Sequence, residues 1–282
     1  MKLFVTGGTG FVGSHFLKQA MAAGHDVIAQ RRPGSRPRLQ LTSEPVWVDR
    51  ALDHVFEAEL AGCDALVHLA SHTPNLPYAP LDECIYWNVY ATTRLIQQAA
   101  AQGVKDVLVA GTYFEYGIAA GGQHFVHPAT ELRPTLTYPI SKAAASTAFL
   151  GLARHLQLRL QVLRIFQVFG EGEAGTRFWP SLRTAAQEGR DFPMSAGLQV
   201  RDFVPVEQVA NTFLSALTFE GVNPGLPHIR NVGTGQAQSL LEFARHWWAT
   251  WGATGQLIPG ELGLRPGELS RLVANVRDVH VA

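Results

Sequence analysis

The sequence predicts a doubly wound α/β fold on a parallel sheet, followed by a smaller lobe that sends its last elements back to that sheet. Two observations carry this. The first is the opening stretch. Leu3 to Val5 is a short apolar run of β-formers, glycines follow at 7, 10 and 13, and then Phe11, Val12, Phe16, Leu17 and Ala20 recur at helical spacing until Gly24. Strand, glycine turn and helix in that order form the first half of a dinucleotide-binding βαβ unit. The second observation is the alternation of apolar strands and helical patterns that continues to about residue 166.

Each glycine has a physical task in such a turn. Gly7 permits tight backbone geometry, Gly10 lets a pyrophosphate approach, and Gly13 lets the helix pack on the strand. The helix N-terminus then presents amides and a partial positive charge to the phosphates.

The later elements follow in order. Asp26 to Ala29 reads as a second strand that runs into Gln30, Arg31 and Arg32, and Pro45 to Asp49 as a third. Leu52 to Leu60 reads as a helix. Asp64 to Ala70 is a continuous apolar strand of the doubly buried kind. Tyr86 to Gln102 is a helix closed by Gly103, Asp106 to Ala110 a strand that ends at Gly111 and Thr112, and Tyr138 to His155 a helix. Leu158 to Phe166 is the next strand. Beyond Gly170 the alternation breaks into helices 178–188, 206–219 and 240–251, with a strand-like 228–232 among them. The expected division is a dinucleotide-binding part over 1–170 and a mainly substrate-binding lobe over 171–282.

Composition excludes several classes. Lys+Arg and Asp+Glu are both 23 of 282 residues, so the net charge is zero and neither nucleic acid nor an anionic membrane is favoured as a partner. The two cysteines, Cys63 and Cys84, have no metal-ligand spacing and point to a reduced compartment. No signal peptide and no apolar run long enough to cross a bilayer is visible, so a cytoplasmic protein is expected. Among eleven histidines none shows ligand spacing, although His72, His124 and His127 sit in loops that could reach a site. No metal site is expected. Trp247, Trp248 and Trp251 share one late helix and read as packing for the small lobe.

Tyr138-Pro-Ile-Ser-Lys142 is the second chemical signal. Tyr and Lys four apart share a helix face, and Pro139 suits a first helical turn. An ammonium beside a phenol is expected to lower the phenol's pKa and equip it to exchange a proton with a sugar or alcohol oxygen.

Together these stretches resemble the extended short-chain dehydrogenase/reductase family, in its nucleotide-diphosphate-sugar epimerase/reductase branch, over nearly the whole chain. Thr6-Gly-Gly-Thr-Gly-Phe-Val-Gly13 is similar to its cofactor turn, and His68-Leu69-Ala70-Ser71 to the strand end beside the cofactor. Asn88 matches a buried asparagine of the next helix. Gly111 and Thr112 resemble the strand with the catalytic Ser or Thr, and Tyr138 and Lys142 the acid/base tyrosine and its lysine. Arg164 to Gly170, Arg201-Asp-Phe-Val204, Asn231 to Gly235 and Arg265-Pro-Gly267 match further motifs. The resemblance implies a Rossmann-type sheet, a cofactor held by Gly7, Gly10, Phe11, Val12, Gly13, Leu69, Ala70, Ser71, Asn88, Tyr138 and Lys142, and a substrate met by His72, Thr112, Tyr113, Gln167, Arg177, Arg201 and Arg265.

Three departures sharpen the expectation. The family's NAD-users keep Asp at the end of the second strand, where this chain has Arg31 followed by Arg32. Arginine pairs with a 2′-phosphate and cannot accept from a 2′-hydroxyl, so NADP is favoured with NAD possible, and Asp49 remains an acceptor near the adenine. The dehydratases carry Asp-Glu directly after the catalytic Thr, whereas here Tyr113 and Phe114 follow, which disfavours dehydration. Glu115 comes next and is expected in a buried hydrogen bond. Gln167 replaces the usual asparagine. The expected activity is NADPH-dependent reduction of a 4-keto deoxysugar nucleotide, with nucleotide-sugar 4-epimerisation as the alternative and a non-catalytic NADP-binding role a more distant one. A homodimer through helices 86–102 and 138–155 is expected, with Ala144, Ala148 and Leu152 near the contact.

Overall fold

β1 (Lys2–Thr6) leads through the glycine turn into α1 (Phe11–Ala22), then β2 (Asp26–Arg31), β3 (Val46–Asp49), α2 (Glu57–Leu60) and β4 (Ala65–His68). α3 (Leu81–Ile85), a π-helical stretch over Tyr86–Ala91 and α4 (Thr92–Ala101) are continuous. β5 (Asp106–Thr112), α5 (Thr137–Leu156), β6 (Arg159–Ile165) and β7 (Gln167–Phe169) follow. The remainder is α6 (Phe178–Gln187), β8 (Phe192–Met194), β9 (Val200–Arg201), β10 (Phe203–Pro205), α7 (Val206–Ala216), β11 (His228–Val232), β12 (Gln238–Ser239), α8 (Leu240–Thr250), β13 (Leu257–Pro259), β14 (Arg271–Leu272) and β15 (Val279–His280). This computed structural model describes residues 1–264, 267–276 and 279–280.

The central sheet has the order β15-β11-β6-β5-β4-β1-β2-β3, parallel throughout except for β15, which runs antiparallel to β11. The chain winds outward from β1 to β3 and then crosses to β4. The strand order therefore reverses between β1 and β4, the place where such sheets open a ligand crevice at their C-terminal ends. Register keeps those ends level: Thr6 lies beside His68, and His68 beside Val109.

Both sheet faces are covered. Phe16, Leu17 and Ala20 of α1 pack with Val209 and Phe213 of α7 on one face. Leu95 and Ile96 of α4 pack with Ala145 and Phe149 of α5 on the other. Each of the larger of these, the Phe, Leu, Ile and Val side chains, contributes about 1.5–3 kcal/mol on burial. In the smaller lobe, Phe203 stacks on Phe243 at 3.9 Å, and Trp179, Trp247 and Trp251 close the cluster. The late tryptophans pack this lobe, as their sequence position suggests.

Two elements differ from expectation. The helix over 52–60 shrinks to Glu57–Leu60, because Gln98 takes two backbone groups ahead of it: the Phe56 amide donates to Gln98 Oε1 at 2.7 Å, and Gln98 Nε2 donates to the His54 carbonyl at 3.3 Å. The helix expected from Tyr86 starts earlier, at Leu81. Pro80 caps it, and Asp82 and Glu83 in its first turn suit the dipole.

Candidate active site

A cavity of about 700 Å³ opens over the C-terminal ends of β1, β4 and β5. The glycine turn forms its floor. Gly7 has φ +74°, and a Cβ there would stand 2.3 Å from the Ala70 amide nitrogen, so β1 and β4 can approach only around a glycine. A Cβ on Gly13 would fall 2.0 Å from the Gly7 carbonyl oxygen, which makes Gly13 the close-packing residue. Gly10, Phe11 and Val12 line the cavity at the start of α1, which has no side-chain cap to occupy its first amides. That is an anion cradle of the right kind for a pyrophosphate, and the residues fit a dinucleotide. Leu69, Ala70 and Ser71 line the opposite wall.

At the far end of the cavity, β2 and β3 pair so that Arg31 lies beside Asp49. Arg31 donates from Nε to Asp49 Oδ1 at 2.7 Å and from Nη2 to Oδ2 at 3.2 Å, and its guanidinium lies 4.6 Å from the centre of the Trp47 ring. The pairing raises the Arg31 pKa and lowers that of Asp49. Asp49, expected as an acceptor near the adenine, here accepts from Arg31. Arg32 and Arg38 also line this end.

The Tyr-Lys pair lies in α5. Its backbone starts from Leu136, and Thr137 Oγ1 donates to the Ala79 carbonyl at 2.9 Å. Tyr138 is 6% exposed and Lys142 4%. Ser71 Oγ donates toward the Tyr138 phenol oxygen at 3.5 Å, and Tyr78 packs its ring 5.3 Å from that of Tyr138. The expected lowering of the phenol pKa does not occur. Burial raises it strongly, opposed by the Ser71 hydrogen bond, and Tyr138 is held protonated. Lys142 Nζ instead donates to the Ala110 carbonyl at 2.8 Å, and burial lowers its pKa.

Two networks hold these groups. Asn88, aimed by the π-helical stretch, accepts from the His72 amide at 2.7 Å and donates to Ser141 Oγ at 2.9 Å. Ser141 in turn donates to the Tyr138 carbonyl at 2.8 Å. Thr112 caps the 3₁₀ turn Tyr113–Tyr116, and Glu115 Oε1 accepts from the Thr112 amide at 2.8 Å. Glu115 Oε2 accepts from Ser146 Oγ at 2.7 Å and Arg164 Nε at 2.9 Å. Glu115 is fully buried in this scaffold, which fixes Thr112.

The substrate candidates separate. His72, Thr112, Tyr113 and Arg177 line the cavity. His72 Nε2 lies 2.8 Å from Glu83 Oε1, close enough for an ion pair but without hydrogen-bond alignment. Tyr113, its phenol pushed up to about 12 by burial, donates to Gln167 Oε1 at 3.0 Å, so Gln167 stands one hydrogen bond behind the lining. Arg201 pairs with Glu268 at 2.8 Å, while Asp202 next to it accepts from the amides of Thr234, Gly235 and Ala274 and organises the lobe. Arg265 lies outside the described residues. Sequence reasoning missed Glu173, a buried carboxyl on the cavity wall, and Tyr78 beside Tyr138. Glu173 sits in a glycine-rich loop whose burial no local pattern signals. Among the described residues no His/Cys/Asp/Glu group could hold a metal ion, and no helix is long and apolar enough to cross a membrane.

Comparison with known proteins agrees with this architecture. A UDP-glucose 4-epimerase of Lacticaseibacillus casei is 28% identical over 301 residues, 98% of this chain and 88% of that protein. A dTDP-6-deoxy-L-talose 4-dehydrogenase (NAD(+)) of Aggregatibacter actinomycetemcomitans is 25% identical over 74% of this chain and 77% of its own length. The structure of MoeE5 in complex with UDP-glucuronic acid and NAD superposes with a TM-score of 0.82 at 26% identity, covering 98% of this chain and 90% of that one. The model of the NAD dependent epimerase/dehydratase family matches residues 3–233. The chain belongs to that family and is an enzyme of the extended short-chain dehydrogenase/reductase type.

Proposed function

We propose that the protein reduces the 4-keto group of a nucleotide-diphosphate sugar with NADPH. The observation that carries this reading is that Thr112, Tyr138 and Lys142 line one cavity with the glycine turn, the buried Tyr138 phenol being the protonated group among them. Gly10, Phe11, Val12 and Gly13 would hold the cofactor's pyrophosphate, and Lys142 its nicotinamide ribose. When bound, the reduced nicotinamide supplies the hydride. Tyr138 would pass its proton to the sugar's carbonyl oxygen. Thr112, fixed by Glu115, holds that oxygen, and the Ser71 hydroxyl steadies the phenolate left behind. Arg31, Arg32 and Arg38 at the adenosine end support a cofactor with a 2′-phosphate.

A second reading, 4-epimerisation with the same three residues, is favoured by the Lacticaseibacillus relative and by the NAD in the MoeE5 complex. Incubation with a panel of 4-keto and 4-hydroxy sugar nucleotides separates the two. NADPH absorbance falling in step with product supports reduction; interconversion of epimers with no net cofactor consumption overturns it in favour of the epimerase. Turnover of neither class would remove both.

A further inference from the structure

Glu173 lies in the loop between β7 and α6, in the stretch Gly170-Glu-Gly-Glu173. Its side chain is only 5% exposed, while that of Arg177 is 28% exposed. The loop is tied down: the Glu173 amide donates to the Gly170 carbonyl at 3.2 Å, and the His15 ring meets the Glu171 carbonyl at 2.9 Å. Glu173 Oε1 accepts from Arg177 Nε at 3.3 Å. Its other oxygen, Oε2, is buried and has no hydrogen-bond partner among the described residues. Glu173 and Arg177 line the same cavity as Thr112, Tyr138 and Lys142.

A buried carboxyl oxygen without a partner is costly, and proteins keep such groups where a ligand completes them. We propose that Glu173 is a specificity-determining residue whose unpartnered oxygen takes a hydroxyl of the molecule bound in the cavity, while its other oxygen steadies Arg177. The chemistry favours a hydroxyl. A carboxylate oxygen accepts from a hydroxyl and repels an anion, so an anion gains nothing at Oε2. Burial pushes the Glu173 carboxyl up to about 7, against the pull of Arg177 and, more weakly, of the Gly170 backbone. Near neutrality it can therefore donate as well as accept, as a hydroxyl can. The identification of that hydroxyl as one on the hexose rests on the function proposed above; a ribose hydroxyl of the cofactor is the same chemistry from another source.

The test uses the full chain with Glu173→Leu and Glu173→Gln. UDP-glucose, dTDP-glucose and CDP-glucose, the corresponding nucleoside diphosphates, and NADPH and NADH are titrated calorimetrically between pH 6 and 8. The leucine variant is expected to weaken the accepted sugar nucleotide by about tenfold and leave its nucleoside diphosphate unchanged. Glutamine, which also donates and accepts, is expected to recover most of that loss and to abolish a pH dependence centred near 7 in the wild type. A loss confined to the cofactors assigns the hydroxyl to their ribose. Unchanged affinity for every ligand in the leucine variant overturns the proposal. If that variant does not fold, the glutamine variant decides, and a retained pH dependence overturns it. A wild type that binds cofactor but no sugar nucleotide defeats the functional reading instead, and the cofactor titrations alone then judge Glu173.

Discussion

Lys142 donates from Nζ to the carbonyl oxygen of Ala110, 2.8 Å away and on the strand that carries Thr112. The bond ties α5 to β5 within the wall of the candidate site. It also directs the ammonium at a backbone acceptor, while burial of Tyr138 governs the phenol.

Tyr138→Phe keeps the ring and its packing against Tyr78 but removes the proton donor. Turnover is expected to fall by about 10²–10⁴-fold with cofactor affinity retained. Lys142→Met should weaken cofactor binding as well, because the ribose contact assigned to it goes. Thr112→Val should cost less than Tyr138→Phe. Steady-state rates and cofactor titrations on the three variants check this order. Near-normal turnover in Tyr138→Phe would mean the proton comes from elsewhere.

Cofactor choice turns on Arg31 and its bidentate partner Asp49. The wild type is expected to prefer NADPH, and Arg31→Asp to erase most of that preference. Asp49→Asn should act in the opposite direction, since it loosens the hold on the guanidinium and frees it for a phosphate. Fluorescence titration with both cofactors checks the pair of variants. Equal wild-type affinities for NADPH and NADH would end the idea.

Much of this was legible in the sequence for definite reasons. β1 and β4 are buried on both faces, so they appear as unbroken apolar runs, and the glycine turn between strand and helix has few alternative readings. Tyr138 and Lys142 follow from helical spacing, and a buried hydrogen-bonded Glu115 follows from an acid placed among apolar residues. The partners were not legible. Ala110 lies 32 residues from Lys142, and Arg31 meets Asp49 only because β2 and β3 pair in that register. The phenol's raised pKa arises from burial by surrounding segments such as the one bearing Tyr78, which the four-residue spacing does not report. Glu173 is hidden for a different reason: its partner Arg177 is only four residues away, but nothing in a short glycine-rich loop reports that its carboxyl is buried.

Assembly is open to a direct test. Ala144, Ala148 and Leu152 on α5 are partly exposed in the single chain, and Tyr86 and Tyr90 on the neighbouring helix are 40% and 50% exposed. This surface of small and aromatic residues suits helix pairing across a two-fold axis. Light scattering at micromolar concentration is expected to give a dimer, and Ala148→Arg a monomer. A monomeric wild type would count against this interface.

The last prediction concerns acid stability and rests on His68. The residue is 1% exposed at the end of β4, where Nδ1 meets Thr6 Oγ1 at 2.7 Å and Nε2 meets Thr92 Oγ1 at 3.2 Å. Burial, with the Lys142 charge adding to it, lowers its pKa to about 3, from 6.5 in the unfolded chain. Between those values the unfolded state binds more protons than the folded one. The contribution of this residue is therefore fully present above about pH 6.5 and is lost as pH falls toward 3, by roughly 1.4 kcal/mol per pH unit. Carboxylates add their own slopes below pH 5, so the measurement is a comparison. Denaturant unfolding of wild type and His68→Gln should be followed from pH 7 to pH 5. The variant is expected to be less stable at pH 7, because it fills the site less well, yet to lose less on acidification. The two curves should converge as the pH drops. Parallel curves over that range would show that His68 takes up its proton as readily in the folded protein as in the unfolded chain, and that the buried Thr6–His68–Thr92 bridge does not hold the imidazole neutral.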